Sequence, residues 1–170
     1  MSPELILVGP PGAGKSTVGR LVAGHLGVDF HDFDDDLERA HGMPAGELVV
    51  ELGRERFQQL ELAALRGALG RGGVLALGGG TPTAPGAAEL LAPHHVVYLE
   101  VDLDTLLKRE GLVPLHPWLL PNPRAHLRRL LAERLPVYAS VATATVATTA
   151  RTPADVAAAV LRTLPTSRPA

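Results

Sequence analysis

Residues 9–16 read Gly-Pro-Pro-Gly-Ala-Gly-Lys-Ser, a run whose residue types and spacing could hold phosphate groups. The run matches the pattern G-x-x-x-x-G-K-[ST], in which glycines let backbone N–H groups point at phosphate oxygens. In that pattern Lys15 stabilises charge on the transferred phosphoryl group, and the hydroxyl of Ser16 faces Mg²⁺. A glycine-rich turn with an incidental lysine is the alternative. The predicted nucleotide-binding residues are Gly9, Gly12, Ala13, Gly14, Lys15, Ser16 and Thr17.

Two carboxylates, Asp32 and Asp34, follow a predicted strand at 28–31. In an extended segment both side chains point to the same side, because residues i and i+2 share a face. Phosphoryl transfer needs one acidic group near Mg²⁺ and one that orients or deprotonates the acceptor hydroxyl, and this pair could do both. The structural alternative is that Asp34 caps the next helix while Asp32 is solvated. We interpret Asp35 and Asp36 as cap and first-turn charges, which suit the positive end of a helix.

Three further segments could serve the same chemistry. Gly78, Gly79 and Gly80 follow a predicted strand, where a substrate pressed against the backbone or a plain turn would explain them. Arg134 lies near the end of a helix predicted at 124–135, just before a proline, and could bind an anion or complement the helix dipole. The proline-rich segment 111–123 is long enough for a lid that excludes water, or it is a passive surface loop.

Strands alternate with helices along the chain, which predicts one α/β domain over 1–170 with a parallel sheet. We expect a three-layer fold in which five parallel strands carry helices on both faces, of the P-loop kinase type with a lid. Ligands of such sheets bind beyond the carboxyl ends of the strands, where all these motifs fall. The predicted strands are 4–8, 28–31, 74–77, 95–100 and 143–148, and a frayed tail is expected at about 165–170.

Composition narrows the possible functions. The net charge is −2, so no basic surface points to nucleic acid. The chain has no cysteine, which excludes disulfides and thiolate chemistry. No leader precedes the first strand, and no apolar run is long enough to span a membrane. We therefore expect a soluble, cytoplasmic protein, monomeric, that acts on a small molecule and binds neither membranes nor nucleic acid.

Taken together, these motifs resemble the shikimate kinases, small P-loop enzymes related in fold to nucleoside monophosphate kinases. The resemblance covers nearly the whole chain, and the set of motifs is more specific than the phosphate loop alone. The matching segments are 9–20, Asp32-Phe33-Asp34, Phe57 with Glu61, Leu77-Gly78-Gly79-Gly80, 96–99, and Arg134-Leu135-Pro136-Val137-Tyr138.

The resemblance implies ATP-dependent phosphorylation of the 3-hydroxyl of shikimate, with ATP and Mg²⁺ bound. It implies that Asp34 contacts the acceptor hydroxyl and that Asp32 supports Mg²⁺ through water. The three glycines at 78–80 would line the shikimate site, and Arg134 would bind the substrate carboxylate. On the nucleotide side, Arg109 would lie against the adenine; a helix-end charge is the alternative for this residue.

The chain departs from the family pattern at two positions. Gln58 stands where the family usually has an arginine that forks onto the shikimate carboxylate. His116, which we assign to the ATP site, stands where the family lid usually has an arginine. We predict that Arg54, one helical turn before Gln58, joins it in binding the substrate. These departures leave open a kinase acting on a different small alcohol, and a nucleotide-dependent switch without enzyme activity.

Overall fold

The computed structural model describes residues 1–109 and 120–166. Within them, five strands form one parallel sheet in the order β2-β3-β1-β4-β5. The strands are β1 (Leu5–Val8), β2 (Phe30–Asp32), β3 (Val74–Ala76), β4 (Val96–Glu100) and β5 (Ala144–Ala147). Strands β2 and β3 lie on one side of β1, and β4 and β5 lie on the other, so the direction in which strands are added reverses beside β1. Open sheets bind ligands at this point, and the phosphate loop follows β1.

Helices cover both faces of the sheet. They are α1 (Lys15–Leu26), α2 (Phe33–His41), α3 (Ala45–Leu52), α4 (Arg54–Leu69), α5 (Ala87–Leu91), α6 (Leu103–Lys108), α7 (Pro123–Val141) and α8 (Pro153–Thr163), with a 3₁₀ turn at Thr81–Thr83. Leu5 and Leu7 of β1 pack into one buried cluster with α1, α6, α7 and α8. Ile6 and Val8 pack into the other with α2, α3, α4 and α5. The predicted three-layer fold with five parallel strands is confirmed.

The helix predicted at 124–135 is longer than expected and runs from Pro123 to Val141. Pro136 lies inside it, although proline lacks the N–H that an interior helical residue donates. The apolar side chains on either side of Pro136 explain why the helix continues. Leu131 and Tyr138 are both buried, so packing against the sheet outweighs the local cost of the proline.

The helix that follows β2 begins differently from the prediction. Asp35 and Asp36 lie in its first turn as expected, but Asp32 is the N-cap: Oδ1 of Asp32 accepts hydrogen bonds from the backbone N–H groups of Asp34 (3.1 Å) and Asp35 (3.2 Å). Asp34 is therefore helical, and the extended arrangement predicted for the pair is wrong. Among the described residues, no helix has both the length and the apolar character needed to cross a membrane.

Candidate active site

The phosphate loop between β1 and α1 is held in a shape that requires glycine. Gly9, Gly12 and Gly14 have φ angles of +155°, +82° and +96°, which side-chain-bearing residues rarely adopt. A Cβ on Gly9 would also lie 2.9 Å from the carbonyl oxygen of Leu99 on β4. Because α1 begins at Lys15, directly after this loop, its free N–H groups and positive dipole end face the bend. The arrangement suits an anionic phosphate chain.

Lys15 is folded back over the loop. Its Nζ donates hydrogen bonds to the carbonyl oxygens of Gly9 (2.7 Å) and Pro10 (2.9 Å). The pKa of Lys15 is lowered to about 8, mainly by burial; the charges of Asp34 and Asp32 oppose this decrease, and the charge of Arg134 adds to it. Lys15 is therefore within electrostatic reach of both carboxylates and of Arg134. Phosphate oxygens that replaced the two carbonyls as acceptors would favour the charged ammonium.

Ser16 and Asp32 bring oxygen atoms together beside the loop. Oγ of Ser16 donates a hydrogen bond to Oδ2 of Asp32. Hydroxyl and carboxylate oxygens are hard ligands of the kind that Mg²⁺ prefers, so these two residues fit the ion. Within the described residues, no group of three or more acidic or histidine side chains could hold a metal ion alone.

Asp34 meets the triple-glycine loop at its first residue. Parallel pairing sets Asp32 opposite Ala76, two residues before Gly78, so the ends of β2 and β3 lie side by side. A Cβ on Gly78 would overlap Oδ1 of Asp34, which shows how closely the carboxylate approaches the backbone. The sequence analysis predicted that α2, the loop after β3 and α7 carry the groups that bind the substrate. These three elements meet at one edge of the sheet.

Arg134 of α7 covers the other two glycines. A Cβ on Gly79 would lie 3.1 Å from Nη1 of Arg134, and one on Gly80 would lie 3.0 Å from Nη2. Arg134 as a whole is half-buried, as are Gly79 and Gly80. A planar cation thus lies beside partly accessible backbone, a combination that can bind a carboxylate by charge-assisted hydrogen bonds.

Three buried side chains that the sequence analysis did not assign to the site, those of Tyr138, Thr81 and Glu61, hold this loop. Tyr138 is 0% exposed, and its hydroxyl donates a hydrogen bond to the carbonyl oxygen of Gly79 at 2.6 Å. Burial raises the pKa of Tyr138 to about 12, so the hydroxyl stays a donor. From the other side, Oγ1 of Thr81 donates to Oε2 of Glu61 at 3.0 Å. Tyr138 lies four residues after Arg134, on the same face of α7. If the helix had been predicted to continue past Pro136, this spacing would have indicated that Tyr138 lies near the site.

Arg109 contacts the phosphate loop from the end of α6. Its guanidinium donates hydrogen bonds to the carbonyl oxygen of Gly12 and, at 3.3 Å, to Oγ1 of Thr148 after β5. Burial lowers the pKa of Arg109, while the charge of Asp102 raises it. Arg109 therefore borders the nucleotide side of the loop, and its contact with an adenine stays a prediction.

Arg54 and Gln58 lie one turn apart at the start of α4. Arg54 is exposed, Gln58 is half-buried, and Phe57 and Glu61 turn toward the core. A role for Arg54 and Gln58 in substrate binding stays a prediction. His116 and most of the predicted lid at 111–123 lie outside the described residues, so the expected lid and its contact with ATP stay predictions as well.

Comparison with known proteins gives one consistent answer. The sequence model of the shikimate kinase family matches residues 11–165. A shikimate kinase of Salinispora tropica is 48% identical over 166 residues, covering 97% of this chain and 99% of that protein. A shikimate kinase of Thermobifida fusca is 47% identical, covering 96% and 95%.

Solved structures agree with the sequence comparison. The fold is similar to that of a shikimate kinase from Acinetobacter baumannii in complex with shikimate, with a TM-score of 0.87 and 36% identity over 96% of this chain and 92% of that one. A gluconokinase from Sinorhizobium meliloti, 18% identical with a TM-score of 0.57, shares the fold alone. With a matching sequence model, relatives of near-equal length and the predicted motifs at one edge of the sheet, this chain belongs to the shikimate kinase family.

Proposed function

We propose that this protein transfers the γ-phosphoryl group of ATP to the 3-hydroxyl of shikimate, giving shikimate 3-phosphate and ADP. The observation that carries the proposal is that Asp34 and Arg134 both lie against the triple-glycine loop, within electrostatic reach of Lys15 in the phosphate loop. Lys15 supplies a cation at the phosphate loop. Asp34 supplies a carboxylate against the backbone of the triple-glycine loop, and Arg134 supplies a second cation beside that backbone. Relatives named shikimate kinase at 42–48% identity favour this acceptor over another small alcohol, and favour an enzyme over a nucleotide switch.

On the donor side, the N–H groups of the phosphate loop and the start of α1 would bind the phosphate chain. Lys15 would leave its two carbonyl partners and stabilise the negative charge of the phosphoryl group during transfer. Arg109, already bonded to the loop at Gly12, would keep the loop in this shape while it borders the base.

Ser16 and Asp32 are the residues that would hold Mg²⁺, Asp32 through water. The bound ion would supply charge neutralisation on the nucleotide phosphates. Asp32 already has two other duties, because it accepts from Ser16 and caps α2. Replacing it would therefore disturb both the metal side of the site and the start of the helix that carries Asp34.

On the acceptor side, Arg134 and the backbone of Gly79 and Gly80 would bind the shikimate carboxylate. That contact would hold the 3-hydroxyl against Asp34. The new bond between this hydroxyl oxygen and phosphorus would form as the bond from phosphorus to the β–γ bridging oxygen breaks. Asp34 would orient the hydroxyl and take its proton. Positioning and charge stabilisation would supply most of the rate, as in other phosphoryl transfers.

Arg54 is proposed as the second anchor for the carboxylate, because position 58 carries a glutamine. Arg54 lies one helical turn before Gln58 and shares a helix face with it, which supports this proposal. Arg54→Ala should raise the KM for shikimate about tenfold, the effect of losing one charge-assisted contact of about 1.4 kcal/mol, with little change in the KM for ATP. Steady-state kinetics will measure it, and Arg56→Ala, which removes an exposed arginine two residues away, is the matched control. An unchanged KM for shikimate in Arg54→Ala would remove Arg54 from the site.

We also propose that the protein acts as a cytoplasmic monomer, with a small molecule as its acceptor. The helices on both faces of the sheet leave the site at one edge of a single chain, so no second copy is needed to complete it. Light scattering coupled to size exclusion, with and without ATP, will measure the mass in solution, and a dimer would contradict the monomer.

The function is tested by ADP release from Mg²⁺ and ATP with a panel of acceptors. Shikimate should stimulate ADP release, whereas the same cyclic triol without its carboxylate should do so poorly, because it offers nothing to Arg134. In Arg134→Ala, the rates of ADP release with the two acceptors should differ less than they do in the wild type. Equal rates with both acceptors in the wild type would reject the carboxylate anchor.

A further inference from the structure

A buried hydrogen bond links helix α4 to Thr81, the residue directly after the triple-glycine loop. Oγ1 of Thr81 donates to Oε2 of Glu61 at 3.0 Å, and the two residues are 0% and 6% exposed. Carboxylates are rarely buried this deeply without a cation at hydrogen-bond distance. A carboxylate kept here calls for an explanation beyond packing.

Thr81 is the residue through which Glu61 reaches the loop. Its backbone N–H donates to the carbonyl oxygen of Gly78 at 3.2 Å, which closes the turn that contains the three glycines. Its Oγ1 lies beside Gly78, 3.0 Å from the position that a Cβ would occupy there. Glu61 therefore fixes one side of this turn, while Tyr138 fixes the other through Gly79.

We propose that Glu61 is a positioning residue that holds the 78–80 loop through Thr81, and that its charge makes the binding of an anionic acceptor depend on pH near neutrality. The inference rests on the proposed function, because it takes shikimate as the acceptor. It assigns Glu61 no contact with the reacting atoms.

The surroundings of Glu61 set when it ionises. Burial raises its pKa from 4.5 to about 7; Thr81 lowers it, Asp34 of α2 raises it, and Arg134 of α7 lowers it. Helices α3 and α5 contribute apolar side chains to the buried cluster into which α4 packs. Glu61 is thus half ionised near neutral pH, within electrostatic reach of the proposed carboxylate anchor.

The sign of the effect follows from these charges. A bound shikimate carboxylate beside Arg134 adds a negative charge near Glu61 and raises the pKa of Glu61 further. Binding then takes up a proton, so affinity is highest when Glu61 is neutral and falls as pH rises through 7. Affinity should therefore be about two- to threefold weaker at pH 7.5, where most of Glu61 is ionised, than at pH 6, where most of it is neutral.

Titration calorimetry of shikimate without nucleotide tests this, because phosphate groups then do not titrate. The wild type should bind about two- to threefold more weakly at pH 7.5 than at pH 6. Binding heats in two buffers of different ionisation enthalpy should show proton uptake near pH 7. Glu61→Gln keeps an acceptor for Thr81 and should abolish both effects between pH 6 and 7.5. Glu55→Gln, an exposed change on the same helix, is the control and should keep them.

Lys15 also titrates near this range, since its pKa is about 8. Its contribution should appear above pH 7.5 and should survive in Glu61→Gln, which separates the two groups. Proton uptake between pH 6 and 7.5 that persists in Glu61→Gln would overturn the role assigned to the charge of Glu61.

Variants at Thr81 test the positioning role. Thr81→Val keeps the shape but removes the hydroxyl, and should raise the shikimate KM about two- to tenfold with the ATP KM unchanged. Thr81→Ser should restore it. A shikimate KM in Thr81→Val equal to that of the wild type would overturn the positioning role. Failure of the proposed function looks different, because the wild type itself would then neither bind shikimate nor turn it over.

Discussion

Glu61→Gln should change how the stability of the protein depends on pH. Glu61 has a pKa of about 7 in the folded protein and 4.5 as its ordinary value, so the fold favours the neutral carboxyl. A group whose pKa is raised by folding stabilises the fold fully below its unfolded pKa and loses that contribution as pH rises through the folded one. The relevant window is therefore pH 4.5 to 7. The amide introduced by Glu61→Gln remains neutral throughout this window, so the variant should not lose stability there through this position.

The size of the effect follows from the pKa shift. Two and a half pKa units correspond to about 3 kcal/mol, because each unit is about 1.4 kcal/mol. Between pH 5 and pH 8, the free energy of unfolding of Glu61→Gln should therefore rise by about 2 to 3 kcal/mol relative to the wild type. The difference between the two proteins isolates Glu61, because all other groups titrate in both.

Urea unfolding followed by circular dichroism at pH 5, 6, 7 and 8 measures this difference. Glu55→Gln is the control, because Glu55 is exposed on the same helix. Its free energy of unfolding should stay parallel to that of the wild type. A difference between Glu61→Gln and the wild type that is constant from pH 5 to pH 8 would refute the reasoning, because it would mean that folding does not shift the pKa of Glu61.

Three further results are expected. The Kd of ATP should rise above pH 8, by at most about tenfold per pH unit, as Lys15 loses its proton; calorimetry should show this in the wild type and not in Lys15→Arg, whose charge persists. Tyr138→Phe removes the donor to Gly79 and should lower the free energy of unfolding by about 1 to 2 kcal/mol, raising the KM for shikimate more than that for ATP; equal effects on both KM values would contradict this. Gly79→Ala crowds Arg134 and should weaken shikimate binding, whereas Gly67→Ala in open space on α4 should leave binding unchanged and stabilise the fold by about 0.5 to 1 kcal/mol.

The parts of the site that follow from local sequence were predictable. The phosphate loop needs glycines at fixed spacing before a lysine, so its pattern is the same wherever it occurs. The parallel sheet follows from apolar runs alternating with helices, and its carboxyl edge brings together motifs that are far apart along the chain. Asp34, Gly78 and Arg134 could therefore be expected at one edge from the sequence alone.

Contacts that depend on tertiary packing were not predictable. Pro136 is a local helix breaker, and only the burial of Leu131 and Tyr138 against the sheet carries α7 past it. Because the helix was predicted to end at residue 135, the hydrogen bond from Tyr138 to the carbonyl oxygen of Gly79 was not foreseen. The bond between Glu61 and Thr81 spans 20 residues and has no spacing rule, so only the packing of α4 beside the loop reveals it.

The central claim is that the phosphoryl group passes to the 3-hydroxyl of shikimate. The most direct test is phosphorus and proton nuclear magnetic resonance of the product formed from Mg²⁺, ATP and shikimate, with Lys15→Ala as the inactive control. We expect one phosphate monoester per ADP, coupled to the proton on carbon 3, and no product in the control. Phosphate on another hydroxyl, or ADP formed with free phosphate and unchanged shikimate, would contradict it.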